Sequence, residues 1–138
     1  MPRVFGLNLI AVLVSGVAFW LIGYVFYGVV FMDAWREAWG FVEADLEAME
    51  SGAAIGMVIG FLISIFTAFM IGFALKFFKA DAMMDALKMA GFLWVGFALP
   101  TMAYDIVYAG QPIILLMIDG AHLLVGYLAI AAIQRAFK

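Results

Sequence analysis

The chain has 138 residues, 69% of them hydrophobic and only 12% charged, with a formal net charge of −3 and no cysteine. About a quarter of an average soluble domain is charged, and a domain this small has too little interior to hide so much apolar surface. A water-soluble fold is therefore excluded, as are disulfides, thiolate metal sites and cysteine nucleophiles, while the negative balance argues against nucleic acid as a partner.

A bilayer supplies the missing burial, and the mean hydropathy of +1.17 agrees with that. One span needs about 20 apolar residues, so four spans with short loops account for the whole chain, residues 1–138, as a single transmembrane domain. Backbone polar groups must be satisfied within each segment in lipid, which makes the spans helices. The predicted fold is an all-α, four-helix transmembrane bundle.

The first span is predicted over residues 7–31. Arg3 alone precedes it, the apolar run is long, and no small-residue cleavage site follows, so it reads as a retained signal-anchor helix rather than a signal peptide. Gly16 and Gly23 share one face with Trp20 and Tyr27. The loop that follows, "DAWREAWGFVEADLEAMES", carries Trp35, Trp39, Val42, Leu46 and Met49 at steps of three and four. This spacing predicts one short interfacial helix over residues 34–50. Its polar face is acidic, unlike that of a basic membrane sensor, so it is expected to rest on the bundle as a connecting element.

The second span, residues 52–78, holds a ribbon of small residues four apart: Gly52, Gly56, Gly60, Ser64, Ala68 and Gly72. Such residues let helix backbones approach in a bilayer, where water cannot drive association. At 3.6 residues per turn the ribbon drifts by about 40° per step. The glycine half is expected to meet one helix and the later half another, within the subunit. The third span, residues 88–108, contains Pro100, which cannot donate to the carbonyl of Gly96. Thr101 and Asp105 stand close enough to offer replacement partners.

The fourth span, residues 112–133, reads "QPIILLMIDGAHLLVGYLAIAAIQ" from Gln111 and places Asp119 and His122 one turn apart on a shared face. At about 1.5 Å rise per residue, Asp119 lies roughly 12 Å in and His122 near the midplane. Matching depths along the antiparallel helices define a candidate intramembrane polar cluster of Tyr24, Tyr27, Thr101, Tyr104, Asp105, Asp119 and His122. An unpaired carboxylate in hydrocarbon costs at least about 2.5 kcal/mol, so partners are close to obligatory. Three roles compete: structural glue, with Asp119 protonated or paired to His122 and bonded to a tyrosine or threonine hydroxyl; a proton or cation site; and a transition-metal site. A lone histidine supports the metal reading poorly, and the expectation is that no metal is bound.

Orientation follows from lysine and arginine. Arg3, Lys76, Lys79, Lys88, Arg135 and Lys138 fall at the termini or the second loop, and only Arg36 falls elsewhere. By the positive-inside rule both termini are cytoplasmic and the first and third loops face outward.

The opening "LNLIAVLVSGVAFWLIGYVFYGVVFMDAWREAWG" and the ending "GFALPTMAYDIVYAGQPIILLMIDGAHLLVGYLAIAAI" carry a resemblance. Asn8, Gly23-Tyr24, Tyr27-Gly28, Phe31 with Trp35, the aromatic pair Phe26-Tyr27 and the Ile118-Asp119-Gly120 core resemble a bacterial family of small four-helix membrane proteins. That family is catalogued as domain of unknown function 1761. Asp105 stands where it commonly has asparagine. The resemblance implies a bacterial inner-membrane protein and brings no catalytic residues with it.

The sequence holds no nucleophile elbow, zinc-protease pair, phosphate loop or dinucleotide fingerprint. No enzymatic activity and no cofactor are expected. The leading expectation is a structural or interaction protein, a homo-oligomer or an accessory subunit of a larger membrane complex. The rival is a small oligomeric proton- or cation-linked channel or transporter using the Asp/His cluster.

Overall fold

A computed structural model describes residues 2–138. Four of its helical segments are long and apolar enough to cross a membrane: Leu9–Val30, Ala53–Phe77, Met83–Ala109 and Ile113–Ala136. The chain is an all-α, multi-pass membrane bundle, as its composition requires.

The described chain opens with a hairpin rather than a helix. Strands β1 (Arg3–Val4) and β2 (Leu7–Asn8) pair antiparallel around Phe5 and Gly6. Both turn residues have positive φ, 50° and 76°, the left-handed pair that a two-residue hairpin turn requires. The first span therefore starts two residues later than predicted, at helix α1 (Leu9–Val25). Its N-cap is Asn8, whose side chain accepts from the Ile10 and Ala11 amides, satisfying donors that would otherwise be orphaned.

The α1 span ends in a π turn, Phe26–Val30. Beyond it the predicted single interfacial helix is two. Helix α2 covers Met32–Trp39 and α3 covers Glu43–Ser51. Gly40 separates them with φ 71°, a left-handed helix stop that glycine adopts without steric cost. The stripe from Trp35 to Met49 is thereby broken. Trp35 and Trp39 turn toward the bundle, while Val42 and Met49 are exposed.

Helix α4 (Ala53–Phe77) packs against α1 and α7 (Ile113–Ala136). A Cβ on Gly16 would lie 2.9 Å from the Ile65 Cα, so the α1 and α4 backbones nearly touch there. The inner half of the small ribbon behaves as predicted: Ser64, Ala68 and Gly72 are buried. The outer half does not. Gly52 and Gly56 are exposed, and a Cβ on Gly56 would meet nothing within 4 Å. The α1 side chains Trp20 and Tyr24 face this half across a groove and do not pack onto Gly56. The core runs through Phe19, Ala68, Leu75 and Ile130.

The third span starts five residues earlier than predicted and is interrupted. Helix α5 (Met83–Leu93) passes through a π turn, Trp94–Ala98, into α6 (Leu99–Ala109). The π turn falls just before Pro100, where the ordinary ladder fails. Thr101 does bond back, but to the Phe97 carbonyl at 2.6 Å. Only 6% of this span's most apolar window is buried, against 28% for each of the others. It is thus the span that gives most of its surface to the bilayer. Gly110, at φ 65°, closes the tight turn into α7.

The hairpin, the α4–α5 loop and the C-terminus meet at one end of the bundle. The Asn8 side chain donates to the Phe137 carbonyl at 3.0 Å, and Lys76 donates to that of Phe5 at 2.9 Å. The shared side of the termini is therefore a property of the fold.

Candidate functional site

Asp119 and His122 do lie together in the half of the bundle near α2, but not as a pair. The π turn at the end of α1 turns Tyr27 toward α7. Its hydroxyl donates to Asp119 Oδ1 at 2.6 Å. The Trp35 indole N–H donates to the same oxygen at 3.1 Å. One carboxylate oxygen on α7 thus ties down both the end of α1 and the start of α2. Trp35, which the sequence places on the apolar stripe of the interfacial helix, reaches in as a hydrogen-bond donor to the carboxylate.

His122 sits in an aromatic cage. Phe19 stacks on its ring with centroids 5.1 Å apart, and Tyr27 and Phe26 approach at 5.0 and 5.6 Å. Gly23 makes room: a Cβ there would stand 3.2 Å from His122 Nε2. Gly126, one turn on, likewise leaves space for the Phe19 ring, which any Cβ at that position would strike. His122 Nε2 is buried without a hydrogen-bond partner among the described residues. Of the partners expected for Asp119, a tyrosine hydroxyl is present and a hydrogen bond to His122 is absent among the described residues. Asp119 takes hydroxyl and indole donors instead, and His122 is packed by rings.

The remaining cluster residues are elsewhere. Tyr24 is exposed on α1, its ring beside Gly28. Thr101, Tyr104 and Asp105 are exposed on α6. Tyr104 stacks on Tyr108 at 5.5 Å, and among the described residues none of these three bonds to Asp119.

Two polar contacts escaped the sequence reading. Trp94 donates its indole N–H to the Gly120 carbonyl at 2.8 Å, joining the third span to the fourth. Gln134 is buried, and its Nε2 donates to the Ala68 carbonyl at 2.7 Å and to Ser15 Oγ at 3.2 Å. Gly72 leaves the space that the Gln134 amide fills. The only advance signal was the pairing of a glutamine with a small-residue ribbon on another span.

Beside the Asp119 node runs a groove of about 830 Å³ between α1 and α4. Trp20, Tyr24 and His122 line one side and Gly52, Gly56 and Gly60 the other. Its volume is within the range of about 300–1,000 Å³ seen for ligand sites, but here it opens sideways along a membrane-spanning surface.

The model of the family described as protein of unknown function (DUF1761) matches residues 10–134. The chain belongs to DUF1761. The match takes in all four spans of this DUF1761 chain, both polar nodes and the groove. No curated protein and no solved structure matches it.

Proposed function

We propose that the chain holds a partner within the bilayer and converts no substrate: a non-enzymatic interaction protein, working as a homo-oligomer or as an accessory subunit of a larger complex in the bacterial inner membrane. The observation that carries this is the unfilled half of the α4 ribbon. Gly52 and Gly56 are in step at the start of α4 and exposed, Gly56 has nothing within 4 Å of where a Cβ would be, and a Cβ on Gly60 would meet only the Trp20 indole at 4.0 Å. The same ribbon, three positions further on, receives α1 and α7. A second transmembrane helix seated on the glycine half would extend packing that the fold already uses. With both termini cytoplasmic, that half lies in the outer leaflet.

Asp119 fits this reading as glue. Its bonded oxygen is occupied by two donors from two elements, which favours holding α2 in place over passing an ion. The proton- or cation-linked reading would need Asp119 freed from Tyr27 and Trp35.

Gly56→Leu tests the proposal. The side chain has room in the subunit, so thermal stability should stay at the parent value, or rise slightly as glycine leaves a helix. Particle mass in nanodiscs should fall from that of an assembly to that of one chain. An unchanged mass distribution would refute the proposal.

A further inference from the structure

At the opposite end, where the hairpin and the end of α7 meet, a pocket of about 440 Å³ is lined by Arg3, Lys76, Lys79, Arg135 and Lys138, with Asp81 as its one acidic side chain. These cations come from the hairpin, the end of α4, the following loop and the end of α7. A positive-inside bias explains why basic residues occur at this end. It does not explain their convergence on one concavity from four places in a chain whose net charge is −3.

Their internal partners leave positive charge unspent. Lys138 and Arg135 both pair with Asp81, and Lys76 gives a hydrogen bond to the Phe5 carbonyl. Hydrogen bonding by Lys138 holds the Asp81 carboxyl below its usual range, so the carboxylate is ionised at neutral pH. It offsets only one charge. Arg3 and Lys79 have no ion pair among the described residues. Arg135, whose side chain is only 11% exposed, keeps a buried Nε with no acceptor among the described residues. A guanidinium with donors to spare, flanked by flexible ammonium groups, suits a phosphate, which takes several donors while the lysines add charge.

We propose that this pocket binds a phosphate-bearing anion, either the headgroup of an anionic phospholipid in the adjoining leaflet or a soluble phosphate ester. Basic pockets between transmembrane helices at the cytoplasmic side are suited to anionic headgroups. The site is separate from the α4 groove, so it stands or falls independently of the assembly proposed above.

The test uses the full chain, delipidated in neutral detergent, and follows thermal melting. Short-chain phosphatidylglycerol, short-chain phosphatidylcholine, inorganic phosphate and sodium chloride of matched ionic strength are added separately. A saturable upward shift with phosphatidylglycerol alone assigns the site to a lipid headgroup. A shift with inorganic phosphate as well assigns it to soluble phosphate. Either supports the proposal. Arg3→Gln and Lys79→Gln, both at exposed positions, should leave the ligand-free melting point unchanged and each raise the half-saturating concentration about fivefold. Equal shifts with phosphatidylcholine or chloride, no shift at all, or variants that respond like the parent would overturn it.

Discussion

Replacing Asp119 separates a structural node from an ion site. Asp119→Asn keeps a carbonyl oxygen where Oδ1 now accepts from Tyr27 and Trp35. Both bonds can survive that exchange, so it should cost less than losing the acceptor outright. Asp119→Leu removes the acceptor and strands both donors. Intramembrane hydrogen bonds average about 0.6 kcal/mol and reach about 1.7, so two lost bonds cost roughly 1–3.5 kcal/mol. Leucine should therefore be the more damaging change, and Tyr27→Phe should fall between the parent and Asp119→Leu. Because Tyr27 and Asp119 share one bond, Tyr27→Phe combined with Asp119→Leu should cost less than the sum of the two. Reversible unfolding in mixed micelles reads all of these. A melting point that depends on pH or cation in the parent and loses that dependence in Asp119→Asn would refute the structural reading, as would asparagine proving worse than leucine.

Two further outcomes are expected. Gln134→Leu should destabilise the bundle by about 1–3 kcal/mol, because the Ala68 carbonyl loses its extra donor and Ser15 a partner in a buried site; unfolding indistinguishable from the parent would show that the amide merely fills space. In the intact cell, a cysteine placed at position 45 should react with an impermeant reagent from outside, and one at position 82 only after lysis. The reverse pattern would invert the assignment of sides and move the phosphate pocket to the outer face.

Depth along the membrane axis was legible in the sequence, whereas rotation about each helix was not. The four long helices begin and end within five residues of the expected bounds, and Tyr27 and Asp119, set at one level by helical rise, are bonded. Rise carries no information on facing, which packing decides. In α6 the side chains near Gly120 are Leu99 and Met102. At about 100° per residue, Thr101 and Tyr104 then point to the other side of that helix and Asp105 falls on its flank, so matching depth alone does not bring them to Asp119. The π turns have no compositional mark, yet one of them brings Tyr27 round to α7. Trp35 was hidden by its own suitability for the headgroup region, where an indole needs no special partner. Gln134 was hidden by the choice of span end: closing the helix at residue 133 turned a buried donor into a loop residue, although the helix runs on to Ala136. The small-residue ribbon shows the same limit from the other side. Its period was plain in the sequence, and period alone could not say which half would find a helix inside the subunit. That is decided by packing, in which Gly23 admits His122 and Gly126 admits Phe19 between α1 and α7. The close approach of α1 to α7 at Gly23 and Gly126 thus forms the polar node's surroundings, and across the groove from it Gly52 and Gly56 stay exposed.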